Sequence, residues 1–275
     1  MPELPEVEIT CRGIGPWLTG AEVSAVLIRQ PRLRYPVPSE LLECLPGQRV
    51  LAVRRRAKYI LIDFADGVLM LHLGMSGSLR IVPSGLPAEK HDHFDLVLGD
   101  RAMRLRDPRR FGSVLWLPTA SDEHPLLAAL GQEPLDPVFD GALLAGLLSG
   151  RSTPVKLAIM DSHLLVGVGN IYASESLFRA RIHPLTPARR LGAVRCARLA
   201  GEIRQTLEDA LAAGGSTLRD FVHSDGSPGY FQQQYFVYGR DGEACRVCQT
   251  RIVRTVMAQR ATFHCPRCQR LPSGR

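Results

Sequence analysis

Four cysteines near the C-terminus constrain the fold of this chain more than any other feature of its sequence. They form two Cys-x2-Cys pairs, Cys245/Cys248 and Cys265/Cys268, with 16 residues between the pairs. This spacing is typical of a zinc site in which two tight turns each supply two thiolates to one tetrahedral ion. Four protein ligands leave no coordination position for water. We therefore predict one structural Zn²⁺ per chain, bound by these four cysteines.

Two other interpretations compete with a four-cysteine zinc site. A pair of disulfides requires an oxidising compartment, whereas the segment Met1–Glu8 is acidic and lacks the basic start and apolar run of an export signal. His264 is a further potential ligand, but its use would break the symmetry of the two cysteine pairs. We therefore expect a cytoplasmic protein whose remaining thiols, Cys11, Cys44 and Cys196, are inert.

Eight short aliphatic segments, bounded by Gly, Pro or Asp, predict the strands of a mostly antiparallel pair of sheets. These segments are Val23–Arg29, Arg49–Arg55, Tyr59–Phe64, Val68–Leu73, Ser78–Val82, Phe94–Leu98, Met103–Arg106 and Ser113–Leu117. A helix is predicted before them over residues 5–18, because Val7, Cys11, Ile14 and Leu18 recur at helical spacing.

From about residue 125 the sequence favours helices. Leu157–His163 and Ile171–Arg181 flank the tight loop Gly167–Asn170, and a longer amphipathic helix is predicted over Leu191–Leu211. Residues 214–235 form a long glycine-containing loop of the kind that is usually functional or disordered. The fold class is therefore α+β and multi-domain, with an N-terminal antiparallel β-sandwich, flanking helices, a helical domain and a four-cysteine zinc β-ribbon.

Charge separates these predicted domains. Residues 1–150 carry 16 Lys and Arg against 18 Asp and Glu, whereas residues 151–275 carry 18 against 9. A basic C-terminal half predicts a polyanionic partner, although a merely solvated basic surface has the same composition.

We expect a sandwich domain at 1–130, a helical domain at 131–235 and a zinc finger at 236–270. No apolar run is long enough to predict a membrane span.

Six further motifs, in order along the chain, give the sequence a resemblance to a known family. They are Pro2–Glu8, Arg55–Tyr59, His72–Gly77, Asp107–Gly112, Gly167–Glu175 and Ser224–Tyr230. Together with the four-cysteine finger they resemble the formamidopyrimidine-DNA glycosylase family over essentially the whole chain. The resemblance implies a base-excision repair glycosylase that removes oxidised purines from damaged double-stranded DNA, with an associated abasic-site lyase activity. It also implies a helix–two-turn–helix DNA-binding domain, and we expect a monomer.

Pro2 is the nucleophile that the resemblance implies. Removal of Met1 converts the Pro2 nitrogen from a tertiary amide into a secondary amine, and α-amino groups titrate near pH 8, so a useful fraction is neutral. Such an amine forms a covalent iminium with the sugar carbon C1′. The resemblance assigns acid–base chemistry to Glu3, β-elimination to Lys58, and phosphate binding with δ-elimination to Arg260. Glu6 resembles a supporting carboxylate, although a helix N-terminus also favours Glu there.

Further positions match residues that contact DNA in the family. Met75, Arg109 and Phe111, here called the wedge residues, match the side chains that fill the space left when a damaged nucleotide is extruded. Asn170 matches a contact to the phosphate beside the lesion, at a glycine-rich loop that opens a helix. The remaining DNA-facing positions are His91, Arg151 and Lys156.

Two alternatives to an oxidised-purine glycosylase remain open at the level of sequence. The first is the endonuclease VIII branch, which acts on oxidised pyrimidines. That branch typically has Gly where this chain has Leu4, and the loop Thr217–Gly229 resembles the purine branch. The second is a non-catalytic zinc-ribbon protein that binds nucleic acid, which would need neither Pro2 nor Glu3.

Overall fold

A computed structural model of the chain describes residues 2–118, 124–215 and 234–271. The molecule divides into two compact units. The first contains residues 1–129 and 213–230, and the second contains residues 130–212 and 231–275. Most of the loop predicted at 214–235 lies outside the described residues. Among the described residues, no helix is long and apolar enough to cross a membrane.

The first unit is a sandwich of two four-stranded antiparallel sheets. Its strands are β1 (Ala25–Ile28), β2 (Ala52–Arg56), β3 (Tyr59–Phe64), β4 (Gly67–His72), β5 (Ser78–Pro83), β6 (Asp92–Leu98), β7 (Arg101–Arg106) and β8 (Ser113–Leu117). One sheet has the order β1-β6-β7-β5 and the other has the order β2-β3-β4-β8. The eight strands and their antiparallel pairing confirm the prediction made from the aliphatic segments.

Helix α1 (Leu4–Leu18) contacts both sheets of the sandwich, namely β2 and β3 of one and β5 of the other. Its buried stripe includes Val7, Cys11, Ile14 and Leu18, the residues whose spacing predicted it. These side chains join a single core with residues from both sheets. The first unit also contains the short helices α2 (Leu41–Cys44) and α3 (Pro125–Ala128).

A buried ion pair lies across the β6–β7 ladder of the first unit. Arg104 is 1% exposed and forms a two-point contact with Asp95, at 2.9 Å from Nε to Oδ1 and 2.8 Å from Nη2 to Oδ2. Arg29 adds a third bond to Asp95 at 2.6 Å. Burial alone would raise the pKa of Asp95, but the two guanidiniums outweigh it and hold that pKa below its usual range. Arg104 also donates to the carbonyls of Leu86 and Pro87 and so holds the β5–β6 loop.

The second unit is built around helix α6. Its helices are α4 (Gly141–Leu148), α5 (Val155–Ile159), α6 (Asn170–Arg179) and α7 (Ala193–Ala212), with a 3-10 turn at Ala188–Arg190. Every residue from Ile171 to Phe178 is buried, because α5, α7 and the C-terminal hairpin all pack against α6. The hairpin consists of β9 (Val253–Met257) and β10 (Arg260–His264) and confirms the predicted β-ribbon.

Helix α5 is shorter than the sequence predicted. It ends at Ile159, whereas the pattern predicted a helix through His163. The Asp161 side chain accepts a hydrogen bond from the His163 amide at 3.0 Å. The backbone carbonyl of Asp161 accepts hydrogen bonds from the amides of Leu164 and Leu165. This turn chemistry competes with continuation of the helix. In α6, the chain likewise leaves the helix before Arg181, whose φ of +55° is left-handed.

We predict that Arg104→Met destabilises the protein by about 3 kcal/mol or more, because it leaves a buried carboxylate with fewer charged partners. Urea denaturation monitored by circular dichroism measures this loss. The matched control is Arg54→Met on β2, whose side chain is 42% exposed and pairs with Asp63 at 2.7 Å. An exposed pair of this kind contributes about 0–1 kcal/mol. Equal losses for the two variants would contradict the interpretation of the Arg104 pair.

Candidate active site and zinc centre

The first residues of the chain are held in place at the start of α1. Pro2 is buried, and Glu3 and Glu6 are 2% and 0% exposed. Glu6 accepts the backbone N–H of Glu3 at 2.8 Å and closes a capping box at the helix N-terminus. That N–H belongs to the peptide that joins Pro2 to Glu3. The Glu6 carboxylate therefore restrains the orientation of this peptide and, with it, the position of Pro2. Gly215 approaches the same carboxylate: a Cβ at Gly215 would lie 3.4 Å from Glu6 Oε1.

Lys58 lies in the two-residue turn between β2 and β3. The ladder closes at the pair formed by Arg56 and Tyr59, so Ala57 and Lys58 make the turn. Ala57 has a φ of +54°, a left-handed conformation that costs an L-residue about 1–2 kcal/mol. His72 packs against Tyr59, with ring centroids 5.0 Å apart. Burial, together with the charges of Lys58 and Arg34, lowers the pKa of His72 to about 4.

The three wedge residues come together on two adjoining loops of the first unit. Met75 and Phe111 are 39% and 47% exposed, and the Arg109 guanidinium lies 4.8 Å from the centre of the Phe111 ring. At Gly74 the loops approach so closely that a Cβ would lie 2.4 Å from the Phe111 carbonyl carbon. Met75 and Phe111 border a cavity of about 330 Å³ that Arg34 and His72 also line. Exposed apolar side chains beside a cavity are suited to inserting between bases.

Asp107 organises the loop that carries Arg109 and Phe111 and binds it to the loop that carries Met75, although no role was predicted for it from the sequence. It is fully buried, and its carboxylate accepts from Ser76 Oγ at 2.9 Å and from the Gly112 amide at 2.8 Å. Its own amide donates to the carbonyl of His91 at 3.0 Å, so the loop is also tied to the β5–β6 connection. His91 is half-buried there, with a φ of +79°. The Asp-Pro-Arg-Arg-Phe-Gly motif was the available signal for Asp107.

In the second unit, a buried lysine joins the start of α6 to the C-terminal hairpin. Lys156 on α5 is 1% exposed, and its ammonium donates to Asn170 Oδ1 at 2.7 Å, Thr262 Oγ1 at 2.7 Å and the Ala261 carbonyl at 3.3 Å. Asn170, the first residue of α6, itself donates to Ala261 at 2.9 Å. We call these four residues the Lys156 network. Lys156 therefore lies inside the unit, beside the predicted phosphate contact Asn170 rather than on the surface.

Arg260 and Arg151 are exposed on the second unit. Arg260 begins β10 directly after a two-residue turn in which Ala258 and Gln259 both have positive φ, +45° and +61°. Such a turn matches the twist of a hairpin, although glycine and asparagine usually occupy it. Arg151 Nε donates to the Leu147 carbonyl at 2.9 Å.

Glu175 of α6 binds the segment that begins the last described part of the chain, at residues 234–271. Its carboxylate is 1% exposed and accepts the consecutive amides of Phe236, Val237 and Tyr238 at 2.8–3.0 Å. Burial raises the pKa of Glu175, and these three bonds act in the opposite direction. The sequence gives no local signal for this role, since Glu175 is only the last residue of the motif Gly167–Glu175.

The four cysteines converge as a zinc site requires. Their sulfur atoms all lie within 4.8 Å of one another, with Cys245–Cys268 at 4.0 Å and Cys248–Cys265 at 3.4 Å. An ion bound tetrahedrally at about 2.3 Å from each sulfur needs separations of about 3.8 Å. Among the described residues, these four form the metal-binding cluster, and His264 is absent from it. All seven cysteines are free of disulfides. The residues therefore fit a structural zinc ion.

Two contacts near the second cysteine pair lie between the finger and the helical part of its unit. Gln269 is fully buried, accepts the Cys265 amide through its side-chain oxygen at 2.9 Å, and donates to the Ile182 carbonyl at 2.9 Å. The His264 ring packs edge-on against His183, at 4.5 Å between centroids. Burial and the neighbouring His183 lower the pKa of His264 to about 4, so the ring is neutral at physiological pH.

Comparison with known proteins places these features in a family context. Residues 1–114 match the family model for the formamidopyrimidine-DNA glycosylase N-terminal domain. Residues 130–222 match the model for the formamidopyrimidine-DNA glycosylase H2TH domain, and residues 242–271 match the model for the zinc finger found in FPG and IleRS. A formamidopyrimidine-DNA glycosylase of Aromatoleum aromaticum is 62% identical over 98% of this chain and 100% of its own.

Two solved structures are similar over nearly the whole chain. MutM (Fpg) from Thermus thermophilus is 38% identical with a TM-score of 0.89, covering 98% of this chain and 99% of its own. A Lactococcus lactis Fpg variant in complex with DNA containing Fapy-dG is 31% identical with a TM-score of 0.91, covering 98% and 100%.

We predict that the purified protein contains one zinc ion per chain and that a strong chelator unfolds the hairpin while leaving the first unit folded. The reason is that a finger of this size has little core of its own, so metal binding supplies its folding energy. Metal analysis and amide NMR signals of the two units measure these outcomes. Cys11→Ala is the control, because burial and the nearby Glu8 raise the pKa of Cys11 to about 12 and leave it an inert thiol. Retention of hairpin signals after zinc removal would contradict the prediction.

We also predict that Thr262→Val destabilises the second unit by about 1–3 kcal/mol, because it removes a hydrogen-bond acceptor from the buried Lys156 ammonium. Thr262→Ser keeps the hydroxyl and serves as the matched control. Thermal unfolding at constant zinc concentration measures both variants. A valine variant as stable as the serine variant would show that the hydroxyl does not support the ammonium.

Proposed function

The chain belongs to the formamidopyrimidine-DNA glycosylase family, and on that premise we propose that Pro2 is its nucleophile and that residues of both units bind the DNA. The protein is a base-excision repair glycosylase for oxidised purines, its partner is damaged double-stranded DNA, and its zinc ion is structural. Abasic-site lyase activity is typical of the family. The observation that carries the proposed chemistry is the burial of Pro2, Glu3 and Glu6 at the start of α1, where the capping box between Glu3 and Glu6 holds them.

The proposed reaction begins once Met1 has been removed. The lone pair of the Pro2 nitrogen forms a bond to C1′ of the damaged nucleotide, and the base leaves with the electrons of the glycosidic bond and takes up a proton. Loss of the amine proton and opening of the sugar ring give an iminium, and Glu3 supplies the proton that the ring oxygen needs. The iminium acidifies the C2′ hydrogen, so that removal of this proton expels the 3′ phosphate. A second elimination releases the 5′ phosphate.

Lys58 and Arg260 are proposed to act on the charged parts of the substrate. Lys58 lies in a tight turn, which restrains the backbone from which its side chain extends, and its proposed role is in β-elimination near the lesion. Arg260 is too basic to give up a proton readily, so we assign it charge stabilisation of the phosphate that leaves in δ-elimination.

Extrusion of the damaged nucleotide leaves a gap in the base stack. Met75 and Phe111 are proposed to fill it, which their exposure supports, and Arg109 is proposed to bond the unpaired partner base. Asn170 and the amides at the start of α6 are proposed to bind a backbone phosphate. His91 and Arg151 are proposed as further backbone contacts.

Lys156 is proposed to support DNA binding through Asn170. Its bond to Asn170 Oδ1 orients the amide, and its buried positive charge strengthens the field at the helix N-terminus. We further propose that residues 1–130, 131–235 and 236–270 act as catalytic, DNA-binding and zinc-finger modules. We also propose that the protein acts as a monomer, and the bacterial origin of the relatives supports a cytoplasmic location.

We predict that borohydride traps a covalent complex between the protein and a duplex containing 8-oxoguanine opposite cytosine, because reduction converts the iminium into a stable amine. Pro2→Gly retains a primary α-amine but loses the proline ring, so trapping and excision are expected to fall steeply. Gel electrophoresis of labelled duplex measures both activities.

Cys11→Ala is the control, since Cys11 is a buried thiol of α1. Protein verified by mass spectrometry to lack Met1 is used throughout. A duplex with thymine glycol opposite adenine tests the pyrimidine alternative and is expected to be cut more slowly. The absence of an adduct with any lesion would contradict the nucleophile assignment and favour a binding protein.

A further inference from the structure

The turn that carries Lys58 is held from one side by a residue to which the proposed chemistry gives no role. Arg55 of β2 donates through Nη1 to the Ala57 carbonyl at 2.9 Å. That carbonyl belongs to the peptide that joins Ala57 to Lys58. Rotation of this peptide would change the direction in which the Lys58 side chain leaves the turn, and the Arg55 bond opposes such a rotation.

The same guanidinium is bound to the helix that begins at Pro2. Arg55 Nε lies 3.0 Å from Glu8 Oε2 on the second turn of α1, and Arg12 binds the other oxygen of Glu8 at 2.8 Å. The Arg55 side chain is 10% exposed, so its pair with Glu8 is partly shielded from solvent. A planar guanidinium with donors on separate nitrogens bonds two acceptors in fixed directions, which a lysine ammonium does not reproduce.

Backbone strain at the turn makes this support relevant. A left-handed alanine persists only where its surroundings over-determine the conformation, and such positions are concentrated at functional sites. Here the φ of +54° at Ala57 is accompanied by a bond to the Ala57 carbonyl. The contacts from Glu8 through Arg55 to Ala57 therefore form a continuous path from α1 to the Lys58 turn.

We propose that Arg55 is a positioning residue, which sets the Lys58 turn relative to the helix that carries Pro2. The proposal rests on the roles proposed above for Pro2 and Lys58. In this proposal the contacts of Arg55 are to Glu8 and to the Ala57 carbonyl, and its effect on the reaction passes through Lys58. Removing Arg55 is expected to slow strand cleavage without weakening DNA binding to a comparable extent.

The experiment measures single-turnover cleavage of a duplex with a preformed abasic site, at saturating enzyme, for Arg55→Met, Lys58→Gln and the double variant. We expect Arg55→Met to slow cleavage by about tenfold or more, equivalent to about 1.4 kcal/mol of barrier. In the double variant it should add little to the effect of Lys58→Gln, because residues that act through one another are not additive. DNA affinity and thermal unfolding are measured on the same samples.

Arg54→Met is the matched control, since it removes an arginine–carboxylate pair from the same strand and is expected to leave cleavage unchanged. If Arg55→Met does not fold, Arg55→Lys replaces it, because lysine keeps the charge but not the two directed bonds. Cleavage by the Arg55 variant at the wild-type rate would overturn the positioning role. So would a double variant in which the Arg55 substitution slows cleavage as much as it does when Lys58 is present. Wild-type cleavage by Lys58→Gln alone would instead overturn the role proposed for Lys58, and the positioning proposal with it.

Discussion

The amine that we propose as the nucleophile lies at the start of the chain and must be held as firmly as a side chain in a core, although termini are normally the least ordered part of a domain. In this protein the constraint is met by the capping box between Glu3 and Glu6. The Glu6 carboxylate accepts the N–H of the peptide that joins Pro2 to Glu3. The helix that begins there, α1, packs against both sheets of the sandwich. The β-sandwich is thus the support for α1, and an antiparallel sandwich with one continuous core provides a rigid one. A frayed first turn would leave Pro2 without a defined position.

Buried polar groups perform the positioning throughout the molecule. Asp107 holds the loop that carries Arg109 and Phe111, Lys156 joins Asn170 to the hairpin, and Glu175 binds three consecutive amides. Burial of a charge is unfavourable unless hydrogen bonds compensate for it, and each of these groups makes at least three. Satisfied groups of this kind specify one arrangement of the backbone around them. Apolar packing supplies stability, whereas these groups determine where the loops that carry functional side chains lie.

Strands and helices could be predicted well from the sequence, whereas the burial of individual charged side chains could not. All eight strands of the sandwich could be predicted, because each is a short aliphatic segment between turn residues, and the zinc ligands followed from spacing alone. Helix α5 was predicted too long, because the turn made by Asp161 involves side-chain bonding that periodicity does not register. Lys156 was predicted at a DNA-facing position, and nothing in the local sequence indicates that its buried ammonium would bind Thr262, over 100 residues away. Glu175 and Asp107 lay inside recognised motifs, but their hydrogen-bond partners depend on tertiary structure.

The zinc finger illustrates why the metal and the helices are both needed to place one arginine. Arg260 follows a turn with two left-handed residues, Ala258 and Gln259, a conformation that is costly for residues other than glycine. The thiolates fix the base of the finger, and Gln269 attaches the second cysteine pair to Ile182. The Lys156 network fixes the hairpin itself at Ala261 and Thr262, directly beside Arg260. The strained turn is therefore followed directly by residues that the Lys156 network binds, and these bonds hold the strand that Arg260 begins.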